Sequence, residues 1–160
     1  MNIGEICVRE VVICAATATV VDAARLMRER HVGDLVVVEE RNNRRFPVGM
    51  ITDRDITVEV VALNVPLDGL TIGDIMGRNL ISVAESEDVF RTLELMRRKS
   101  VRRLPVVDRQ GALVGIVALD DLLEILAEEL TLMVKLIARQ PSQEAHSRPM
   151  LSPRPVEATP

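Results

Sequence analysis

Apolar positions recur along this chain in one pattern that is written in two passes. Each pass opens with a short apolar segment, VVI near Val11 and LISV near Leu80. A helix follows in each. Val20, Ala24 and Met27, and then Val89, Leu93 and Met96, form apolar stripes at helical spacing, and Thr19 with Asp22 has the spacing of a capping box. Runs rich in β-branched residues, Leu35–Val38 and Leu104–Val107, predict a second strand, and Val48–Ile51 and Val114–Val117 predict a third. A closing helix is predicted to begin near Thr52 in one pass and near Ala118 in the other. The order in each pass is therefore strand, helix, strand, strand, helix, with the helices packed on a sheet.

The two passes are copies of one unit. IGEI at Ile3 returns as IGDI at Ile72, and LMRERHVGDLVVVE returns as LMRRKSVRRLPVVD, at a constant offset of 69 residues. The offset then drops to 66, because the first copy carries the longer stretch ERNNRRF before VGMITDRDI, which answers VGIVALDDL. An exposed loop is expected there. Each copy serves as a control for the other: positions that stay apolar in both are core, and positions that diverge in chemistry are candidates for function. We expect repeats over residues 3–65 and 72–130, joined by a linker at 66–71.

The last helix outruns its counterpart. Leu119, Leu122, Leu126, Leu130, Met133 and Ile137 recur every three or four residues, well beyond the point where the first copy breaks at Asn64-Val65-Pro66. This extension, over 131–139, either lies over the domain's own edge or forms a seam with a partner. From 140 to 160 the composition turns to proline and small polar residues without periodicity, and a disordered tail is expected.

Composition narrows the function. Phe46 and Phe90 are the only aromatic residues, so a flat ligand must be held by aliphatic side chains and backbone. A net charge of −4 without stacking rings argues against single-stranded nucleic acid. Cys7 and Cys14 answer Met76 and Val83, so both positions call for apolar bulk and not for a metal or disulfide. His31 answers Ser100, and neither histidine has an evident metal partner. No catalytic residue is assigned, because no nucleophile, base and orienting group stand out. With no bilayer-length apolar run and no leader-like N-terminus, a cytoplasmic location is expected.

One stretch carries candidate chemistry. Gly49-Met50-Ile51-Thr52-Asp53-Arg54-Asp55 runs from a strand end into a helix start. The glycine admits a close approach, the Thr52 hydroxyl and free helix amides can donate to a phosphate, and the Asp55 carboxylate can accept from two sugar hydroxyls. Thr-x-x-Asp is equally an ordinary capping box. The second copy keeps Gly115 and Asp121 but has Ala118 in place of the threonine, and Gly33-Asp34 answers Arg102-Arg103. The copies have diverged at the hydroxyl and at the charge.

Taken with IGDIM, LMRRKSVRRLPVVD and VGMITDRDI, these features make the chain resemble a tandem pair of CBS domains, the modules named after cystathionine β-synthase. The resemblance covers residues 3 to about 130. It implies an α+β fold of two βαββα repeats related by an approximate two-fold axis, their sheets packed into one module (a Bateman module), here with a long C-terminal helix. It also implies pairing into a homodimer and a regulatory ligand containing adenosine: AMP, ADP or ATP, with S-adenosylmethionine or NAD as further members of that class.

Carried over residue by residue, the family motif falls on Gly49, Thr52 and Asp55, with Met50 lining the base. Leu80 and Ile81 of the other repeat would hold the base, and Arg102 and Arg103 would face the phosphates. The second, weaker site would use Val11, Val12, Ile116 and Asp121, with Ala118 and Asp34 where a hydroxyl and a cation are wanted. Asp34 would repel a phosphate there. The resulting expectation is a stand-alone regulatory module that binds one adenine nucleotide per chain and signals to a separate protein. The alternative is a ligand-independent dimerisation scaffold.

Overall fold

In the computed structural model, which describes residues 1–77 and 79–147, each repeat folds on its own three-stranded sheet. The first contains β1 (Ile13–Cys14), β2 (Asp34–Arg41) and β3 (Arg44–Thr52), the second β4 (Val83–Ala84), β5 (Arg103–Val107) and β6 (Leu113–Ala118). In both, the outer strand pairs parallel to the central one and the third strand pairs antiparallel. β2, β5 and β6 begin within a residue of where the apolar patterning predicts, but β3 begins at Arg44 and not at Val48, and β1 and β4 pair only from Ile13 and Val83 onward. Helices α2 (Val20–Arg30) and α5 (Val89–Lys99) cover the sheets through Val20, Ala23 and Met27, and through Val89, Thr92 and Met96; Ala24, expected on the first stripe, is exposed, and Ala23 takes its place in the core. Both end on a left-handed residue, His31 at φ 54° and Ser100 at φ 55°, so a helix C-cap is what these two dissimilar residues share.

The N-terminal turns exchange places. Helix α1 (Ile3–Ile6) donates from Ile3 N to Glu87 O at 2.9 Å and from Gly4 N to Glu85 O at 2.8 Å, both in the second repeat. Helix α4 (Ile72–Ile75) does the same in the first, from Ile72 N to Ala18 O at 2.9 Å and from Gly73 N to Ala16 O at 2.8 Å. Ile3 is consequently buried with Val83, Leu104, Val106 and Leu122, and Ile72 with Val20, Leu35, Val37 and Ile51. Each hydrophobic core is completed by the segment that opens the other repeat.

Three expectations are corrected. The ERNNRRF stretch is not a loose loop: Asn42 and Asn43, both at positive φ, make a tight turn, and β2 and β3 extend on either side of it. Asparagine tolerates the left-handed region that a two-residue hairpin turn requires. From this arm Arg44 reaches Asp108 and Gln110 at the turn of the second repeat. Next, the closing helix of the first repeat is a single α turn, α3 (Asp53–Asp55), which passes into a π-helical segment over Ile56–Val61. There Ala62 N donates to Thr57 O and Val65 N to Val60 O, five residues back. The run ITVEVV is crowded with β-branched side chains, which fit the α-helical turn poorly.

The C-terminal helix is also longer than expected. Helix α6 spans Leu119–Ser147 and so passes residue 139, where the extension was expected to stop. Pro141 withholds one amide donor, but the residues on either side (Ala138 to Gln140, Gln143 to Ala145) are compatible with helix. The rest of the expected tail, 148–160, lies outside the described residues. From Leu123 the chain forms a unit separate from Met1–Leu122, and Leu130, Leu132, Met133, Val134, Leu136 and Ile137 within it are exposed. Among the described residues no helix is long and apolar enough to cross a membrane.

Candidate functional site

The end of β3 sets up the chemistry. Thr52 leaves the sheet in an extended conformation and caps α3: its Oγ1 accepts from Asp55 N at 3.1 Å, while Asp55 Oδ2 accepts from Thr52 N at 2.9 Å. Both side chains are half-buried. The box uses one lone pair of the hydroxyl and one carboxylate oxygen, so the hydroxyl proton and Asp55 Oδ1 take no part in it. In the second repeat only half of this arrangement exists, with Asp121 Oδ2 accepting from Ala118 N at 3.1 Å.

A cleft of about 540 Å³ opens in front of this box. Met50, Thr52 and Asp55 line it from the first repeat, and Arg102 and Arg103 line it from the second. Five of the eight residues expected at the main site are thereby brought together. Gly49, Leu80 and Ile81 are not among the residues lining this cleft. Ile81 is packed against the core of the second repeat. Gly49 is buried, and its missing side chain serves a different neighbour: a Cβ there would lie 2.7 Å from Sδ of Met76. Gly115 stands in the same relation to Cys7, with Sγ at 2.6 Å from the position of a Cβ. The repeat thus explains why cysteine and methionine answer one another, since each side chain seats on the glycine of the opposite repeat.

Sequence reasoning missed Ser100 and Val101, which also line the cleft. Their counterparts His31 and Val32 line the second cleft, so the offset of the repeat could have located one pair from the other.

That second cleft, about 280 Å³, gathers Val11, Val12, Ile116 and Asp121, as expected for the weaker site, together with Ala118 and Glu10. Gly33, Asp34 and Arg103 line both clefts and form a wall between them. Across this wall the Arg103 guanidinium and the Asp34 carboxylate form an ion pair, with Nη1 and Oδ1 3.0 Å apart. Arg102 meets Asp120 at 3.2 Å, an exposed pair. The two arginines are therefore not a free cationic pair awaiting a phosphate. Asp34, expected to stand uncompensated in the second site, is instead neutralised by Arg103. Burial pushes the Asp34 carboxyl above the usual aspartate range; Arg103 pulls it down, and the neighbouring Asp53 adds to the rise.

Cys7 and Cys14 are free thiols, and burial pushes both pKa values up, which makes them poor nucleophiles and metal ligands. Among the described residues, no group of three or more His, Cys, Asp and Glu side chains could hold a metal ion.

Comparison with known proteins agrees with this architecture. The family model described as "CBS domain" matches twice, over residues 3–62 and 72–128. The protein MK0525 of Methanopyrus kandleri is 38% identical over 125 residues, a match spanning 78% of this chain and 62% of that protein. The CBS domain-containing protein YhcV of Bacillus subtilis is 38% identical over 114 residues, covering 71% of this chain and 76% of YhcV. Among solved structures, the CBS domain pair of protein MJ0100, in complex with 5′-methylthioadenosine and S-adenosyl-L-methionine, superposes with a TM-score of 0.70 at 26% identity. That superposition covers 81% of this chain and 98% of the MJ0100 pair. Two matches of the family model and two interlocked βαββα repeats place the chain in the CBS-domain family, as a tandem CBS pair.

Proposed function

We propose that this CBS pair is a regulatory module that binds an adenosine-containing ligand in the Thr52 cleft and signals its occupancy to a separate protein. The observation that carries this reading is the convergence of Thr52 and Asp55 from one repeat with Arg102 and Arg103 from the other in one cleft. The first two offer a hydroxyl donor and a carboxylate acceptor suited to ribose, and the second two offer guanidinium groups suited to phosphate. Met50 supplies an aliphatic surface for the base, in a chain with no aromatic ring in the cleft lining. The ligands in the MJ0100 complex, both of which contain adenosine, support the same class. AMP, ADP or ATP are the first choices, ahead of S-adenosylmethionine and NAD. The module acts without catalysis, as a homodimer, and the ligand works by binding two arrangements of the repeats unequally.

Calorimetric titration of the purified chain, and of Asp55→Ala, with AMP, ADP, ATP, NADH and S-adenosylmethionine tests this directly. Saturable binding near one per chain, weakened at least roughly tenfold by loss of a charged hydrogen-bond partner, is the expected result. Sedimentation of the same sample tests the dimer, which a monomer at working concentration would remove.

One observation favours a second reading, a ligand-independent scaffold. Thr52 and Asp55 already cap one another's backbone amides, and both arginines already have carboxylate partners. Absence of binding by a folded sample of the chain would select it.

A further inference from the structure

The ion pair in the wall between the clefts bears on which member of the ligand class is accepted, and it rests on the reading that the Thr52 cleft takes an adenosine-containing ligand. Asp34 opens β2, directly opposite Thr52 in the β2–β3 ladder, so its short side chain is fixed beside the cap. Only 10% of that side chain is exposed. Arg103 opens β5 opposite Ala118, is 45% exposed, and carries its charge on a long flexible stem. Of the two, the guanidinium is the group that can swing.

Asp34 has a second carboxylate close by. The Asp53 carboxylate lies over Gly33, with Oδ2 at 3.3 Å from where a Cβ of Gly33 would be, and Asp53 N donates to Gly33 O at 2.9 Å. Withdrawing Arg103 therefore leaves Asp34 nearly buried, unpaired and next to a like charge, a change disfavoured unless something compensates. The remaining charged groups lining the two clefts are Arg54, Arg102, Asp55, Glu10 and Asp121, with His31 at the second cleft. Arg102 is itself engaged by Asp120.

We infer that Asp34 is a specificity-determining residue of the Thr52 cleft: it occupies Arg103 as a built-in anion, so that a ligand recruits this guanidinium only by bringing phosphate charge of its own. A nucleotide with several phosphates offers Arg103 more negative charge than Asp34 does and takes it. An uncharged or cationic adenosine derivative leaves the pair closed and binds through Thr52, Asp55 and Met50 alone. The pair thus penalises phosphate-bearing ligands in proportion to how poorly they replace Asp34, and leaves neutral ones untouched.

The test is a double-mutant cycle read with two probes, ATP and 5′-methylthioadenosine, by calorimetry on the full chain. Asp34→Asn keeps the size of the side chain and removes its charge, so ATP is expected to bind roughly tenfold tighter, as for one partly buried ion pair no longer in competition, with 5′-methylthioadenosine unchanged. In an Arg103→Gln background the same Asp34 substitution is expected to have little effect on ATP. A gain for ATP that persists without Arg103 overturns the inference, because Asp34 would then act on the phosphates directly. Equal shifts for both probes, or none, in variants that melt as the wild type does, also overturn it. Failure of the wild type to bind either probe removes the ligand reading of the cleft and this inference with it.

Discussion

Ile3 and Ile72 hold answering positions in the two repeats, and each is fully buried in the core of the other. The backbone bonds of the turns around them follow the same crossing. Neither sheet has a complete core without a segment that precedes its partner.

This exchange predicts that the repeats unfold together. Ile3→Ala and Ile72→Ala each delete buried methyl groups from one core, at a cost of about 2–5 kcal/mol. Both variants are expected to shift one shared transition in urea. A protein lacking residues 1–8 is expected to lose order in the second repeat, although that repeat's own chain is intact. A separate, unshifted transition for one repeat in either point variant would contradict the exchange.

The glycines seated under Met76 and Cys7 predict unequal costs for the same substitution. An alanine at Gly49 meets Sδ of Met76 at 2.7 Å, the far end of a flexible side chain. At Gly115 it meets both Sγ of Cys7 at 2.6 Å and the backbone oxygen of Val8 at 2.9 Å. Val8 and Ile116 exchange backbone bonds of 2.9 Å in both directions, so that oxygen cannot retreat freely. Overpacking costs of about 1–3 kcal/mol are expected, with Gly115→Ala above Gly49→Ala. Thermal melts of the two variants compare them directly.

The Thr52–Asp55 box separates stability from binding. Thr52→Ala recreates the half box that Ala118 and Asp121 form naturally, and it should cost about 1 kcal/mol of stability as an ordinary lost cap. If the cleft binds a ligand, the same variant loses affinity as well, and saturating ligand raises its melting temperature less than that of the wild type. Equal ligand-induced stabilisation of both proteins would leave Thr52 as a cap and nothing more.

Asp34 and Asp74 predict opposite responses to pH. The Asp34 carboxyl sits above the ordinary aspartate range in the folded protein, chiefly through burial. Its contribution is fully present below the unfolded pKa and is lost as pH rises through the higher folded value. Asp74 is held low by accepting from the backbone N–H and the hydroxyl of Thr71, so its contribution is present above the unfolded pKa and is lost as pH falls through the folded value. Melting temperatures across the acid range should show Asp34→Asn gaining on the wild type with rising pH. Asp74→Asn should instead fall behind with rising pH. Parallel curves for wild type and Asp34→Asn would show that Arg103 offsets the burial fully.

The Thr52–Asp55 box in the cleft was legible from residues alone because its signals are local. Thr52 and Asp55 are three apart, and a capping box is written at that spacing. Asp121 was found because the second copy repeats the position at a known offset. The gathering of Val11, Val12, Ile116 and Asp121 in one cleft was anticipated from the family resemblance. The partners of Arg102 and Arg103 were not legible. Asp120 and Asp34 are distant in sequence, and which carboxylate a guanidinium meets is decided by where two separate elements come to rest.

The sequence by itself determined the doubled unit and the order of its elements, because periodicity and capping are properties of neighbouring residues. Only the tertiary structure decided that Ile3 and Ile72 cross between cores, that Gly49 and Gly115 make room for Met76 and Cys7, and that Asp34 closes on Arg103. Each of these joins one repeat to the other. Two nearly identical units carry nearly identical local patterns, so nothing in either pattern states whether a segment packs at home or across the axis; that choice is made by the closure of both cores at once.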